Sequence, residues 1–128
     1  MDNKIMIRLS FSNSSYSRVA EIYRLLDTIG VEVMILPALD TGKEAFLLIP
    51  RSDLKKATEA FTRLDIKAIE KEVLILNLEN KIGEIADVSS KIRDKGISIR
   101  HASLVPQSII KALLILECSD NKAALMSI

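Results

Sequence analysis

The chain has 128 residues, the length of one ordinary domain or of two very small ones. Its 18 Lys and Arg nearly balance its 17 Asp and Glu, which excludes the strongly basic surface typical of nucleic-acid-binding and anionic-membrane proteins. One Cys and one His are too few for an internal disulfide or a His/Cys metal site. We therefore expect no metal, no cofactor and a reducing, cytoplasmic setting.

The first half of the chain follows the order βαββαβ. Apolar residues alternate from Ile5, which predicts a strand, and then recur at helical spacing until Gly30 stops the helix. Two β-rich stretches with a turn between them predict a hairpin, and Pro50 ends its second strand. A second helix, capped by Ser52 or Asp53, leads to a short fourth strand. The predicted elements are strand 5–11, helix 19–29, strands 31–39 and 44–49, helix 54–61 and strand 66–70.

The second half repeats the first. With a shift of 66 residues, 30–33 falls on 96–99, and with a shift of 67, 44–49 falls on 111–116. The repeat predicts two units, 1–71 and 72–128. In the second unit the predicted elements are strand 73–77, helix 84–95, strands 97–104 and 110–117, and the start of a helix at Asp120.

This order predicts an α+β, ferredoxin-like fold in two tandem copies, each with an antiparallel sheet and both helices on one face. Ile128 aligns with Phe61, so the sequence holds no counterpart of 62–71. We therefore expect the second copy to be truncated after the start of its second helix and to lack a fourth strand.

Residues 74–88, which read LILNLENKIGEIADV, and 94–99, which read DKGISI, resemble the ACT domain family. That family consists of small regulatory modules that bind amino acids. The resemblance extends to residues 5–71 through the internal repeat. It implies a non-catalytic, allosteric regulator that binds a small amino acid between units and acts on an enzyme or regulator.

In that family the loop after the first strand commonly reads Asn-x-Pro-Gly. Here Asn80 and Gly83 keep their places, and Ile82 replaces the proline. The resemblance implies that Asn80 and the backbone around Gly83 hold the ligand, helped by the start of the second strand of a neighbouring unit, where Ser98 stands. The candidate ligand-binding residues are Glu79, Asn80, Lys81, Ile82, Gly83, Glu84 and Ser98.

The candidate loop also has a physical rationale. A loop that runs into a helix N-terminus presents free N–H groups and a positive dipole end, which suit a carboxylate. Gly83 allows close approach to the backbone, and the Asn80 amide can donate and accept. Alternatively, Asn80 is only a helix cap and Gly83 a first-turn residue. The matching loop of the first copy, 13–17, lacks the pattern, so we expect it to be degenerate.

Catalytic and nucleic-acid functions have little support in the sequence. Neither strand–helix loop contains the arginine of an acylphosphatase-like site, and the second copy has no aromatic residue on which RNA bases could stack. His101 and Cys118 are most simply structural. The longest apolar runs, 45–49 and 112–116, are far short of the roughly 18 residues of a membrane span.

Five leucines predict a self-association surface. On the strands of the second copy they alternate onto what we expect to be the helix-free face, which a monomer would expose. These residues are Leu74, Leu76, Leu78, Leu114 and Leu116. We therefore expect a homodimer or a higher homo-oligomer. The alternative to an amino-acid sensor is a module of the same fold that assembles without a ligand.

Overall fold

The computed structural model describes residues 3–12, 16–35 and 44–128. The chain divides into two compact units, Met6–Lys71 and Met1–Ile5 with Glu72–Ile128. Both are α+β and ferredoxin-like, as the repeat predicts. The strands are β1 (Lys4–Ser12), β2 (Met34–Ile35), β3 (Glu44–Ile49), β4 (Ala68–Glu79), β5 (Ile99–Pro106) and β6 (Lys111–Cys118). The helices are α1 (Tyr16–Thr28), α2 (Leu54–Arg63), α3 (Ile82–Asp94) and α4 (Asn121–Met126), and Arg51–Asp53 forms a 3-10 turn.

In the unit Met6–Lys71 the strands lie in the order β2-β3-β1-β4. β1 and β3 are antiparallel, with Ile7 opposite Ile49 and Ser12 opposite Glu44. The residues of β1 that face the helices pack with Ile22 and Phe61 in one core cluster. This arrangement follows from the period-two pattern of β1 meeting the helical pattern of α1 and α2.

β4 is a single strand of 12 residues, where the sequence pattern indicated two strands separated by charged residues. Ile69, Glu70 and Lys71 are exposed, yet they remain in the strand. Residues 66–76 contain no Gly, Pro, Asn, Asp or Ser, the residues that favour turns, so the charged stretch stays extended. The division between the two units falls within this strand, between Lys71 and Glu72.

In the other unit the strands lie in the order β1-β4-β6-β5, with β1 represented by Lys4 and Ile5. Asn3 Oδ1 accepts a hydrogen bond of 2.7 Å from the N–H of Asn77 on β4, and Ile5 packs against the core of this unit. The start of the chain thus lies beside β4, where a ferredoxin-like unit has its fourth strand.

The second helix of this unit begins where the sequence predicts. The Asp120 carboxylate accepts a hydrogen bond of 3.0 Å from the Ala123 N–H and so caps α4. Asn121 is buried: its side-chain oxygen accepts from the Cys118 N–H at 2.9 Å, and its amide nitrogen donates to Glu72. These bonds hold α4 against β4 and β6.

The prediction that the five leucines form a helix-free face is wrong. They lie in the core beneath α3 and α4, where they share one cluster with Val88, Ile92 and Ala124. The exposed fractions of Leu74, Leu76, Leu78, Leu114 and Leu116 are 0%, 0%, 5%, 4% and 1%. The opposite faces of β4 and β6 are also buried within the chain, at Val73, Ile75, Leu113 and Ile115. A strand buried on both faces has no alternation from which the helix-covered face can be read.

None of the described helices combines the length and apolar character that crossing a membrane requires.

The burial of the leucines predicts the effect of Leu76→Ala. It should lower the free energy of unfolding by about 2–5 kcal/mol, because it removes buried carbons and leaves a cavity. Chemical denaturation at two protein concentrations measures this loss, which should not depend on concentration. Met126→Ala is the control, because Met126 is 77% exposed and its loss should change stability by about 0.5 kcal/mol or less. Dissociation of an oligomer by Leu76→Ala at unchanged stability would contradict the core assignment.

Candidate functional site

The predicted ligand loop connects β4 to α3. β4 ends at Glu79, and Lys81 is the residue before the first turn of α3. The N–H of Asn80 donates to the carbonyl of Ile110 at 2.9 Å, but no side chain caps the helix. The exposed Asn80 amide group makes no hydrogen bond to any described residue. Asn80 is therefore not a helix cap, and its side chain is available to a ligand.

The first turn of α3 leaves two donors available. The N–H groups of Glu84 and Ile85 both donate to the carbonyl of Lys81 at 3.2 Å. Within the described part of the chain nothing accepts from the N–H of Ile82 or Gly83. Gly83 is exposed, and a Cβ atom built on it meets nothing within 4 Å. The protein itself therefore leaves the space above this backbone open.

The turn between β5 and β6 lies beside this loop. Ser108 Oγ accepts hydrogen bonds from the N–H groups of Ile110 at 3.2 Å and Lys111 at 3.1 Å. The N–H groups of Gln107 and Ser108 donate to the carbonyl of Lys111 at 2.9 and 3.1 Å. Ile109 and Ile110 are 92% and 69% exposed. A cavity of about 300 Å³ is lined by Glu79, Asn80, Lys81, Ile109, Ile110 and Lys111.

Three residues of this cavity were not among the predicted ligand-binding residues: Ile109, Ile110 and Lys111. They are 28–32 positions away from Glu79 and Lys81 in sequence and reach the loop through the pairing of Glu79 with Lys111. One sequence signal marks them. A hairpin turn is usually built from Gly, Asn, Asp, Pro or Ser, and two consecutive isoleucines in such a turn are unusual.

Opposite charges lie at the mouth of the cavity. Lys81 Nζ is 3.0 Å from Glu79 Oε2, and both side chains are at least half exposed. The hydrogen bond and the charge of Lys81, helped by Lys111, lower the pKa of Glu79 below its ordinary value. The same contact raises the pKa of Lys81. Both groups are charged at neutral pH, so the site offers an anion and a cation side by side.

Ser98 does not lie in this cavity. Its N–H donates to Ser119 Oγ at 3.0 Å, and its carbonyl accepts from the Ser119 N–H at 2.9 Å. Ser119 follows the end of β6, whereas Lys111, opposite Glu79, begins it. Seven strand steps, or about 24 Å, separate the two ends. Ser98 instead lines a cavity of about 540 Å³ that includes Ser89 and Arg93.

The other predicted ligand-binding residues, Ile82, Gly83 and Glu84, do not line the cavity but follow Lys81 directly in the chain. Ile82 is 89% exposed and Glu84 is half-buried in the first turn of α3. The matching loop of the first copy begins at 13–15, which lie outside the described residues, so its degeneracy stays a prediction.

The remaining His and Cys side chains are His101 and Cys118. His101 Nε2 is 3.8 Å from Glu117 Oε2. Burial raises the pKa of the Cys118 thiol, which makes it a poor nucleophile at neutral pH. Among 3–12, 16–35 and 44–128, no three His, Cys, Asp or Glu side chains are grouped so that they could hold a metal.

Comparison with known proteins identifies related folds. No family model matches the chain, and no curated protein is significantly similar to it. The structure of protein BT0572 from Bacteroides thetaiotaomicron superposes with a TM-score of 0.65 at 16% identity, covering 98% of this chain and 85% of that one. The ligand-free regulatory subunit of aspartate kinase from Thermus thermophilus gives 0.62 at 13% identity, with 99% and 95% covered.

Escherichia coli aspartokinase III in complex with lysine and aspartate also superposes, with a TM-score of 0.61 at 13% identity. The match covers 98% of this chain but 30% of that much longer one. At these identities the likeness establishes the fold that the chain shares with these proteins.

The ion pair predicts how the Glu79 carboxyl titrates. In Lys81→Met the pKa of Glu79 should rise towards the ordinary glutamate value, because both the hydrogen bond and the positive charge of Lys81 are lost. NMR titration of the side-chain carboxyl carbon measures this shift. Lys95→Met, at an exposed lysine after α3, should leave the titration of Glu79 unchanged. Equal midpoints for Glu79 in the wild type and Lys81→Met would contradict the contact.

Proposed function

We propose that this chain is a non-catalytic regulatory module of the ACT type that binds a small amino acid at the loop between β4 and α3. One observation carries the proposal. The unpaired Asn80 amide and the Glu79–Lys81 pair line one cavity, and the two free N–H groups of α3 follow directly after them in the chain. Free amino acids carry an ammonium and a carboxylate on one carbon, and this set of groups complements both.

Each group of the ligand has a partner in the proposed complex. The carboxylate accepts hydrogen bonds from the N–H groups of Ile82 and Gly83, where the helix dipole favours negative charge. The ammonium lies against the Glu79 carboxylate, and the Asn80 amide accepts from the ammonium or donates to the carboxylate. Glu79 and Lys81 can break their ion pair and contact the ligand instead. The loss of free energy is small, because an exposed ion pair adds little stability.

The regulatory part of the proposal is supported by the shared fold. One of the similar structures is a regulatory subunit of aspartate kinase, and another was solved with lysine and aspartate. We propose that this chain likewise regulates an enzyme or regulator in the cytoplasm.

A neighbouring unit completes the site in this proposal. Ser98 is about 24 Å along the sheet from the loop of its own unit, so it can meet a ligand only at the loop of another unit. We propose a homodimer or a higher homo-oligomer in which the region of Ser98 and Arg93 of one copy covers the loop of the next. Ligand binding between copies would then change how they pack, which is the basis of regulation.

Gly83→Val tests the ligand site. The added side chain should weaken amino-acid binding at least about tenfold, because it fills the approach to the N–H groups. The fold should persist, since a Cβ at this position meets nothing within 4 Å outside its chain neighbours and the backbone of its own helix. Asn80→Ala should weaken binding through the loss of its hydrogen bonds. Isothermal titration calorimetry with the common amino acids measures both effects.

The control is Ala86→Val, which introduces the same side chain at an exposed position about one turn further along α3. It should leave affinity and stability nearly unchanged. Wild-type affinity in Gly83→Val would refute the site. If no amino acid binds while sedimentation shows a stable oligomer, the ligand-free assembly module replaces this proposal.

A further inference from the structure

We infer that the amino acid taken by this site has an aliphatic side chain and that Ile109 and Ile110 select it. The inference rests on the proposed function, because it assumes that an amino acid occupies the cavity beside Asn80. It adds the class of ligand and two specificity-determining residues on a second loop of the chain.

The turn does not need its two isoleucines. Ser108 Oγ accepts from two N–H groups of the turn, and the carbonyl of Lys111 accepts from two more. These bonds use the Ser108 side chain and the backbone, so they place no demand on the side chains of Ile109 and Ile110. β-branched residues are stiff and are unfavourable in turns. Both side chains are exposed although the turn does not require them, so we expect a bound partner to cover them.

The position of the turn identifies that partner. The hydrogen bond of 2.9 Å from the Asn80 N–H to the Ile110 carbonyl holds the turn against the ligand loop. The same cavity of about 300 Å³ is lined by Glu79 and Lys81 of the ligand loop and by both isoleucines of the turn. An amino acid with its charged head at Glu79 and Lys81 would thus direct its side chain towards Ile109 and Ile110.

The residues that line the cavity disfavour other side chains. A lysine-like side chain would meet the positive charges of Lys81 and Lys111. An acidic side chain would lose hydrating water where it lies against the two isoleucines, which is unfavourable for a charged group. A hydroxyl or amide side chain would find apolar carbon where it needs a hydrogen-bond partner. Valine, isoleucine and leucine have none of these conflicts, and they gain by burying methyl and methylene groups.

The test is calorimetric titration of the full chain with pairs of matched ligands. L-valine and L-threonine have the same shape and differ by a methyl and a hydroxyl group. Valine should bind at least about tenfold more tightly than threonine, and isoleucine and leucine should exceed alanine by a similar factor. L-lysine and L-aspartate complete the panel and should bind more weakly than valine.

The variants are Ile109→Ser with Ile110→Ser, and the control is Ile69→Ser, at an isoleucine that is 66% exposed and lies outside the cavity. The double variant should reduce the preference for valine over threonine to about twofold or less while alanine still binds. The control should keep the wild-type preference. All three side chains are exposed, and circular dichroism confirms that each variant is folded.

The outcomes separate the two proposals. Threonine, lysine or aspartate binding as tightly as valine would overturn the aliphatic assignment and leave the proposed function standing. An unchanged valine preference in the double variant would overturn the role of the two isoleucines, and dissociation of an oligomer by that variant would then assign them to a second copy. Absence of binding by every amino acid would overturn the proposed function and this inference together.

Discussion

The pairing of β4 with β6 is the interaction on which the second unit depends. Its antiparallel register runs from Leu74 opposite Leu116 to Glu79 opposite Lys111. At one end the pairing sets the leucines under α3 and α4, which forms the core of the unit. At the other end it brings two loops, distant in sequence, to one place. A slip of one residue would turn the leucines away from the helices and remove Lys111 from its position opposite Glu79.

The candidate site is an extension of that pairing beyond the last pair. The bond from the Asn80 N–H to the Ile110 carbonyl continues the ladder into the loops. The core therefore positions polar groups that are themselves exposed and weakly held. Such an arrangement suits a binding site. Exposed groups can replace their contacts with water, or with one another, by contacts with a ligand at a small cost in free energy. The same register places Ser98 at the far end of β6, away from the cavity.

The wrong prediction about the leucines and the unexpected length of β4 have a common cause. Both arise where the sequence offers no alternation and no turn residue to read. Along β6 every residue from Ala112 to Cys118 is buried, so periodicity does not say which face the helices cover. In β4 the charged residues 70–72 resemble a connection, but a charged stretch without glycine or proline can remain extended.

The sequence by itself determined the βαββαβ order, the repeat, most of the helix and strand positions and the loop from Glu79 to Glu84. These features depend on neighbours within a few residues, through side-chain period, capping and helix-stopping glycines. Tertiary structure alone decided which face of β4 and β6 the helices cover, that the start of the chain lies beside β4, and that Ile109, Ile110 and Lys111 adjoin the loop. Each of these rests on pairing between residues distant in sequence, whose partners are selected by burial and register across the whole unit and leave no local pattern.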